Sequence, residues 1–414
     1  VDKKLKEESK TMKRMNTNRR NFIKKSAAGL AGVAFLPSFI KGEEESKAEE
    51  SKKKRKIIYR TLGKTGIKLP IISVGAVENK QLLAAALDVG VVYLDTASNY
   101  MRGRHEEIVA EVVKGRPRDS YVIGTKVYVL TDQKTGLIKK GATAASFIET
   151  FEASLKRLGL DYVEFLHLHA AIKKEAVFHE AILSAMQKMK KEGKARFLGV
   201  SVHTNEPEVI RAAVDTKVHD VVLTAYNFRQ PHVAEVEKAI DYAAKAGLGI
   251  VAMKTQAGVY WDKERKHPIN PKAALKWVLQ NENVHTTIPG FTTFDQMETD
   301  LSVMEDLTLT PQEKADLKIG EKLALTGLYC SQCRQCLSQC PKKLDIPTLM
   351  RSYMYAYGYR NLAKARETME GIDLSSPACN DCTTCSVKCT MGFDVRDKIK
   401  DISRIKDIPQ EFLV

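Results

Sequence analysis

From Ile57 onward the apolar positions follow two alternating rhythms. Short runs rich in β-branched residues are Ile71–Ala76, Val91–Ala97, Tyr121–Val127, Val163–His169, Arg196–Val202, Asp220–Asn227, Gly249–Lys254 and Val284–Gly290. Between them lie stretches with helical spacing, among them Ala145–Leu158, Ala176–Lys191, Val233–Ala246 and Pro271–Gln280. Eight strand-then-helix units over roughly 250 residues predict an α/β fold, a (β/α)8 TIM barrel over 57–308. A doubly wound sheet competes, but it needs a Gly-rich phosphate turn after an early strand, and no G-x-G-x-x-G is present. Tyr59–Leu69, with Lys64-Thr65-Gly66 in its middle, reads as a hairpin ahead of the first barrel strand.

Composition narrows the classes. The chain of 414 residues is 43% hydrophobic, enough for large buried cores. No apolar run reaches the roughly 18 residues of a spanning helix, so a multi-pass membrane protein is excluded. The formal charge of +15 suggests nucleic acid, yet residues 1–56 alone carry +9 and no basic stripe interleaved with aromatics follows, which sets nucleic-acid binding aside. Residues 18–25 read Asn-Arg-Arg-Asn-Phe-Ile-Lys-Lys, and a weakly apolar stretch, Ser26–Ile40, comes next. This layout over 1–42 resembles a twin-arginine (Tat) export signal, which implies the Tat machinery as a partner and a periplasmic destination; a basic tail is the alternative. Residues 43–56 form a block-charged linker.

Chemistry in such a barrel sits at the C-terminal ends of the strands. There the chain carries Asp95, with Tyr100 in the loop beyond it, then Lys126 and His169. A carboxylate at Asp95 would hold the Lys126 ammonium, and that charge would let Tyr100 act as a general acid near neutral pH while His169 orients the substrate oxygen. His167, on the same strand face, is the rival histidine and reads better as packing. The stretch Asp95-Thr96-Ala97…Tyr100…Gly103…Glu106, then Thr125-Lys126, Asp161-Tyr162-Val163-Glu164…His169, Gly199-Val200-Ser201, Tyr226-Asn227, Met253-Lys254 and Ile288-Pro289-Gly290 resembles the aldo-keto reductase family. The resemblance implies a catalytic tetrad of Asp95, Tyr100, Lys126 and His169, and hydride transfer between a nicotinamide, NADP(H) or NAD(H), and a small carbonyl or alcohol substrate. It implies cofactor contacts at Ser201, Lys254, Gly290, Thr292 and Gln296. The last barrel loop carries no cation for a 2′-phosphate and has Asp300 nearby; Leu223 and Met253 stand where an amide-binding Gln and a ring-stacking Tyr are common.

Cysteine placement is lopsided: residues 1–329 have none and the last 85 hold all eight. Cys330-x2-Cys333-x2-Cys336-x3-Cys340 is repeated in spacing by Cys379-x2-Cys382-x2-Cys385-x3-Cys389. Doubled in this way, the run predicts two [4Fe-4S] clusters, with Cys330, Cys333, Cys336 and Cys389 on one and Cys379, Cys382, Cys385 and Cys340 on the other. Two zinc ions or four disulfides are the alternatives, and neither explains the repeat. The 38 residues between the runs include helical-looking Thr348–Tyr357 and Leu362–Met369, with tyrosines at 353, 355, 357 and 359. A mainly helical two-cluster ferredoxin-like domain is expected over 327–414, joined by a connecting helix over 309–326. The ensemble resembles the iron–sulfur-bearing branch of the aldo-keto reductases.

A nicotinamide moves two electrons and each cubane one, so a flavoprotein or other external redox partner is expected to link them, unless the clusters are structural. Alternatively, the protein is an electron carrier or docking protein whose barrel no longer binds free dinucleotide. The loop Gln256–Ile269, with Tyr260 and Trp261, offers an aromatic platform for substrate or a packed loop tip.

Overall fold

The computed structural model describes residues 56–132, 135–372, 374, 378–409 and 412. The export-signal segment 1–42 and all of the linker except Lys56 lie outside them.

The hairpin pairs β1 (Tyr59–Thr61) with β2 (Lys68–Pro70), antiparallel, and Gly66 closes its turn at φ 71°. Leu62 and Leu69 enter a fully buried cluster with Tyr93, Phe165, Leu223 and Val251, so the hairpin plugs the bottom of the barrel. That insertion needs glycine opposite it: a Cβ on Gly249 would stand 2.4 Å from the Leu62 side chain.

Seven strands follow in sequence order in one parallel sheet: β3 (Tyr93–Asp95), β4 (Val122–Tyr128), β5 (Val163–Ala171), β6 (Ala195–Val202), β7 (Val221–Ala225), β8 (Gly249–Met253) and β9 (Thr286–Thr287). The expected first barrel strand, Ile71–Ala76, is not a continuous strand. It closes the ring through single parallel bridges, Ile72 to Thr287 and Val74 to Leu94. The expected run Val284–Gly290 contracts in the same way to β9. Proline at 70 and 289 removes ladder donors beside these segments, and Gly75 packs against the Ile288 carbonyl, where a Cβ would lie 2.8 Å away.

Helices surround the ring. Ala144–Leu158 opens with a Thr143–Ser146 capping box and stops at Gly159, φ 64°. The helix expected over Ala176–Lys191 is two, Lys174–Val177 and Glu180–Lys191, because His179 leaves helical geometry at ψ 106°. The single connecting helix expected after residue 308 also breaks, into Pro311–Asp316 and Ile319–Lys322. Its second piece is shaped by Trp261, whose ring lies so close to Gly320 that a Cβ there would be 2.1 Å away.

The C-terminal region is helical as expected. Ile346–Tyr353 runs into a wide π turn, Met354–Gly358, and then come Leu362–Thr368 and Val395–Ser403. Its core of Leu349, Met350, Tyr353, Ile399 and Ile402 is continuous with Ala257, Trp261, Ile269 and Ala274 of the barrel. Trp261 is therefore part of a packed loop tip, edge-on to Phe228 at 6.0 Å.

Candidate active site and iron–sulfur centres

β3 and β4 pair in register with Asp95 opposite Gly124, which brings Asp95 and Lys126 to the same end of the ring. Lys126 Nζ donates to Asp95 Oδ2 at 2.5 Å and to the Thr96 carbonyl at 2.6 Å, and Tyr93 Oη donates to Asp95 Oδ1 at 3.0 Å. Lys126 and Asp95 are 1% and 2% exposed, so each charge depends on the other. Burial pushes Asp95 up and works against the charge on Lys126, but Asp95 outweighs it and holds Lys126 above its ordinary value.

Tyr100 opens a tight turn in which Met101 and Arg102 adopt φ 50° and 56°, left-handed geometry that side chains resist. The turn is moored by Ser98, whose N–H donates to the Lys126 carbonyl, and by the Thr96–His105 hydrogen bond. Tyr100 Oη consequently stands 3.5 Å from Lys126 Nζ. His169, on β5, meets the Tyr100 ring edge-on at 5.7 Å and is 6% exposed. Burial, then Lys126, pushes its pKa well down, leaving a neutral imidazole whose Nδ1 has no partner among the described residues. His167 is fully buried beneath it and packs on Gly199, as expected of a packing residue. The predicted four are thus brought together.

The predicted cofactor residues fall into two groups. Gly290, Thr292 and Gln296 share the last loop, where Thr292 donates from both N and Oγ to Gln296 Oε1. Ser201 and Lys254 lie deeper. Ser201 Oγ accepts the Ala170 N–H, and Lys254 Nζ donates to Tyr355 Oη at 3.0 Å. Asp300 is not an exposed anion: it is 2% exposed, accepts from Gln256 Nε2, and is pushed by burial up to about 7.

Sequence reasoning missed what the C-terminal region does here. The π turn directs Tyr355 to Lys254, while Tyr353 and Tyr357 stack on each other at 4.3 Å. Lys364 Nζ lies 5.7 Å over the Tyr100 ring, and Arg102 pairs with Glu370 at 2.6 Å. Burial opposes ionisation of the Tyr355 phenol, but Lys254, Arg351 and Lys364 outweigh it and bring it down to about 8. His203, just beyond β6, was also missed; its ring is 6.5 Å from that of His169. The period-two spacing Gly199, Ser201, His203 was the available signal.

The cysteines gather in the predicted quartets. Cys330, Cys333, Cys336 and Cys389 line one cavity, walled by Ile346, Met350 and Val395, and Cys379 groups with Cys382, Cys385 and Cys340. Sulfur donors in an apolar shell fit [4Fe-4S] clusters. Burial pushes the Cys330 thiol up to about 12, so it needs a metal to ionise at neutral pH. Thr390, which replaces the proline found after the first run, places Oγ1 3.4 Å from Cys333 Sγ. Among the described residues no three His, Cys, Asp or Glu side chains converge on a single-ion site.

Comparison with known proteins agrees with this division. Residues 68–273 match the aldo/keto reductase family and 329–394 the 4Fe-4S dicluster domain. An uncharacterized oxidoreductase, YqkF of Bacillus subtilis, is 32% identical over 164 residues, 39% of this chain and 52% of that protein, so the match spans about half its length. L-glyceraldehyde 3-phosphate reductase of Escherichia coli O157:H7 is 24% identical over 63% of this chain and 91% of its own. L-galactose dehydrogenase of Arabidopsis thaliana is 26% identical over 61% and 89%. Among solved structures, an aldo-keto reductase from Bacillus halodurans in holo form superposes with a TM-score of 0.52 at 21% identity, covering 67% of this chain and all of that one. The chain carries an aldo/keto reductase domain over residues 68–273, which makes it an oxidoreductase, followed by a 4Fe-4S dicluster domain over 329–394.

Proposed function

We propose that the chain interconverts a carbonyl and an alcohol at the barrel mouth with a nicotinamide as two-electron partner, and that its cysteine quartets hold two [4Fe-4S] clusters for one-electron traffic. The observation that carries this is the line Asp95–Lys126–Tyr100, with Lys126 Nζ 2.5 Å from the carboxylate and 3.5 Å from the phenol. In the reductive direction Tyr100 donates its proton to the substrate oxygen, the Lys126 ammonium stabilises the phenolate left behind, and neutral His169 orients the oxygen. A bound nicotinamide supplies or accepts the hydride. The chain's own groups toward it are Ser201, Lys254 and the backbone of Gly290–Thr292.

A second reading is favoured by one contact. Lys254 is engaged by Tyr355 from the C-terminal domain, and no cation stands in the 290–300 loop to receive a 2′-phosphate. On that reading the protein is an iron–sulfur electron carrier whose barrel takes no free dinucleotide.

One preparation separates the two. Protein purified anaerobically is assayed for iron, sulfide, released nucleotide and flavin, then titrated with NADPH and NADH. About eight irons with a bound or titratable nicotinamide, and turnover abolished by Tyr100→Phe with cluster spectra unchanged, support the enzyme. Eight irons with neither binding nor turnover support the carrier. The Arg19-Arg20 pattern supports export of the folded, cluster-loaded chain to the periplasm, and Arg19→Lys with Arg20→Lys tests it by retention in the cytoplasm.

A further inference from the structure

Between the barrel mouth and the C-terminal domain lies a pocket lined by His203 and Lys254 on one side and Tyr329, Cys330, Arg351 and Met354 on the other. No carboxylate lines it. Three cations face this region: Lys254, bonded to Tyr355; Lys364, bonded to Glu367; and Arg351. Among the described residues the Arg351 guanidinium has no hydrogen-bond or ion-pair partner, although it sits in the last turn of a helix whose other face is core. Buried His169 and His203 each leave Nδ1 without a partner, and Arg351 is close enough to help push both toward the neutral form.

An unpaired guanidinium in a half-buried pocket is a fork of donors waiting for two oxygens. We propose that Arg351 anchors an anionic group of the substrate, a carboxylate or a phosphate, so that the C-terminal domain supplies the specificity determinant of the barrel's site. The inference rests on the carbonyl–alcohol reading of Tyr100 for where the reacting end lies. The substrate is then a small hydroxy or oxo compound bearing an anionic group, held by Arg351 while its oxygen faces Tyr100 and His169. The free space is on the order of one water, so the side chains around Arg351 must part to admit the anion.

The iron–sulfur cluster is the competing partner for this charge, since Cys330 borders the same pocket. Arg334, however, is the arginine that lines the cysteine cavity, and Arg351 does not.

The test uses anaerobically purified holoprotein titrated calorimetrically with acetate, oxalate and inorganic phosphate. The parent is expected to bind at least one of them saturably; preference for phosphate or for oxalate tells a phosphorylated substrate from a carboxylic one. Arg351→Met should weaken that binding about ten- to hundredfold, and Arg351→Lys should restore part of it. Tyr100→Phe should bind anions as the parent does, so failure of the catalytic reading would leave this site standing. Saturable binding absent from the parent, or equal in Arg351→Met, overturns the proposal. So does an Arg351→Met variant with altered cluster potential and intact anion binding.

Discussion

Lys254, just beyond β8, donates its Nζ to the Oη of Tyr355, a residue 101 positions later in a different domain, at 3.0 Å. A π turn makes the contact possible by widening the helix where Tyr355 leaves it. The bond latches the iron–sulfur domain over the barrel mouth.

That latch has a pH signature. Tyr355 titrates near 8 in the folded protein, below the ordinary phenol value of 10.0. Between these values the unfolded chain holds the proton that the folded chain has lost, so stability rises with pH from about 8 to about 10 and then levels. Thermal unfolding followed over this range should show the rise in the parent. Tyr355→Phe should flatten it and remove a phenolate absorbance appearing near pH 8.

Asp95 and Lys126 are expected to behave as one unit. Lys126→Met leaves a buried carboxylate unpaired and should cost about 3–5 kcal/mol. Arg102→Ala breaks an ion pair whose arginine is 77% exposed and should cost no more than about 1 kcal/mol. Chemical denaturation of the two variants beside the parent measures the contrast; equal losses would mean that Asp95 and Lys126 are not a mutually dependent pair.

The cysteine sharing predicts crossed losses. Cys389→Ser should remove the cluster grouped with Cys330, and Cys340→Ser the one grouped with Cys379, each lowering iron by about four per chain. Mössbauer or electron paramagnetic resonance spectra of the reduced variants should retain different single clusters. If both variants retain the same one, the sharing is wrong.

Gly320 is the sharpest packing test between the barrel and the connecting segment. An added methyl would strike the Trp261 ring, and overpacking of this kind costs about 1–3 kcal/mol. Gly320→Ala should lower the melting temperature and shift tryptophan emission to the red as the indole gains water.

The barrel and the gathering of Asp95, Lys126 and His169 at its mouth were legible because strand ends and period-two faces put them there, whatever the loops do. The grouping of the cysteines into quartets was legible because each run keeps three of them within seven residues and repeats the spacing. Tyr355, Arg351 and Lys364 were not, since their roles come from docking between regions far apart in the chain. A tyrosine every second residue looks like helix packing until one turn widens and sends Tyr355 the other way. The interrupted strand Ile71–Ala76 was misread for a similar reason: its pattern is that of a strand, but flanking prolines and the close approach of Gly75 to Ile288 leave it only bridges.

The continuity of the second core has a practical side. Ala257, Trp261, Ile269 and Ala274 belong by sequence to the barrel but are buried with Leu349, Tyr353 and Ile402 of the C-terminal domain. A chain cut after residue 308 would keep every predicted catalytic side chain and yet present a bare apolar face where the second domain had been. The two parts are therefore poor candidates for separate expression or exchange between relatives, because the boundary drawn along the sequence runs through the middle of a shared interior.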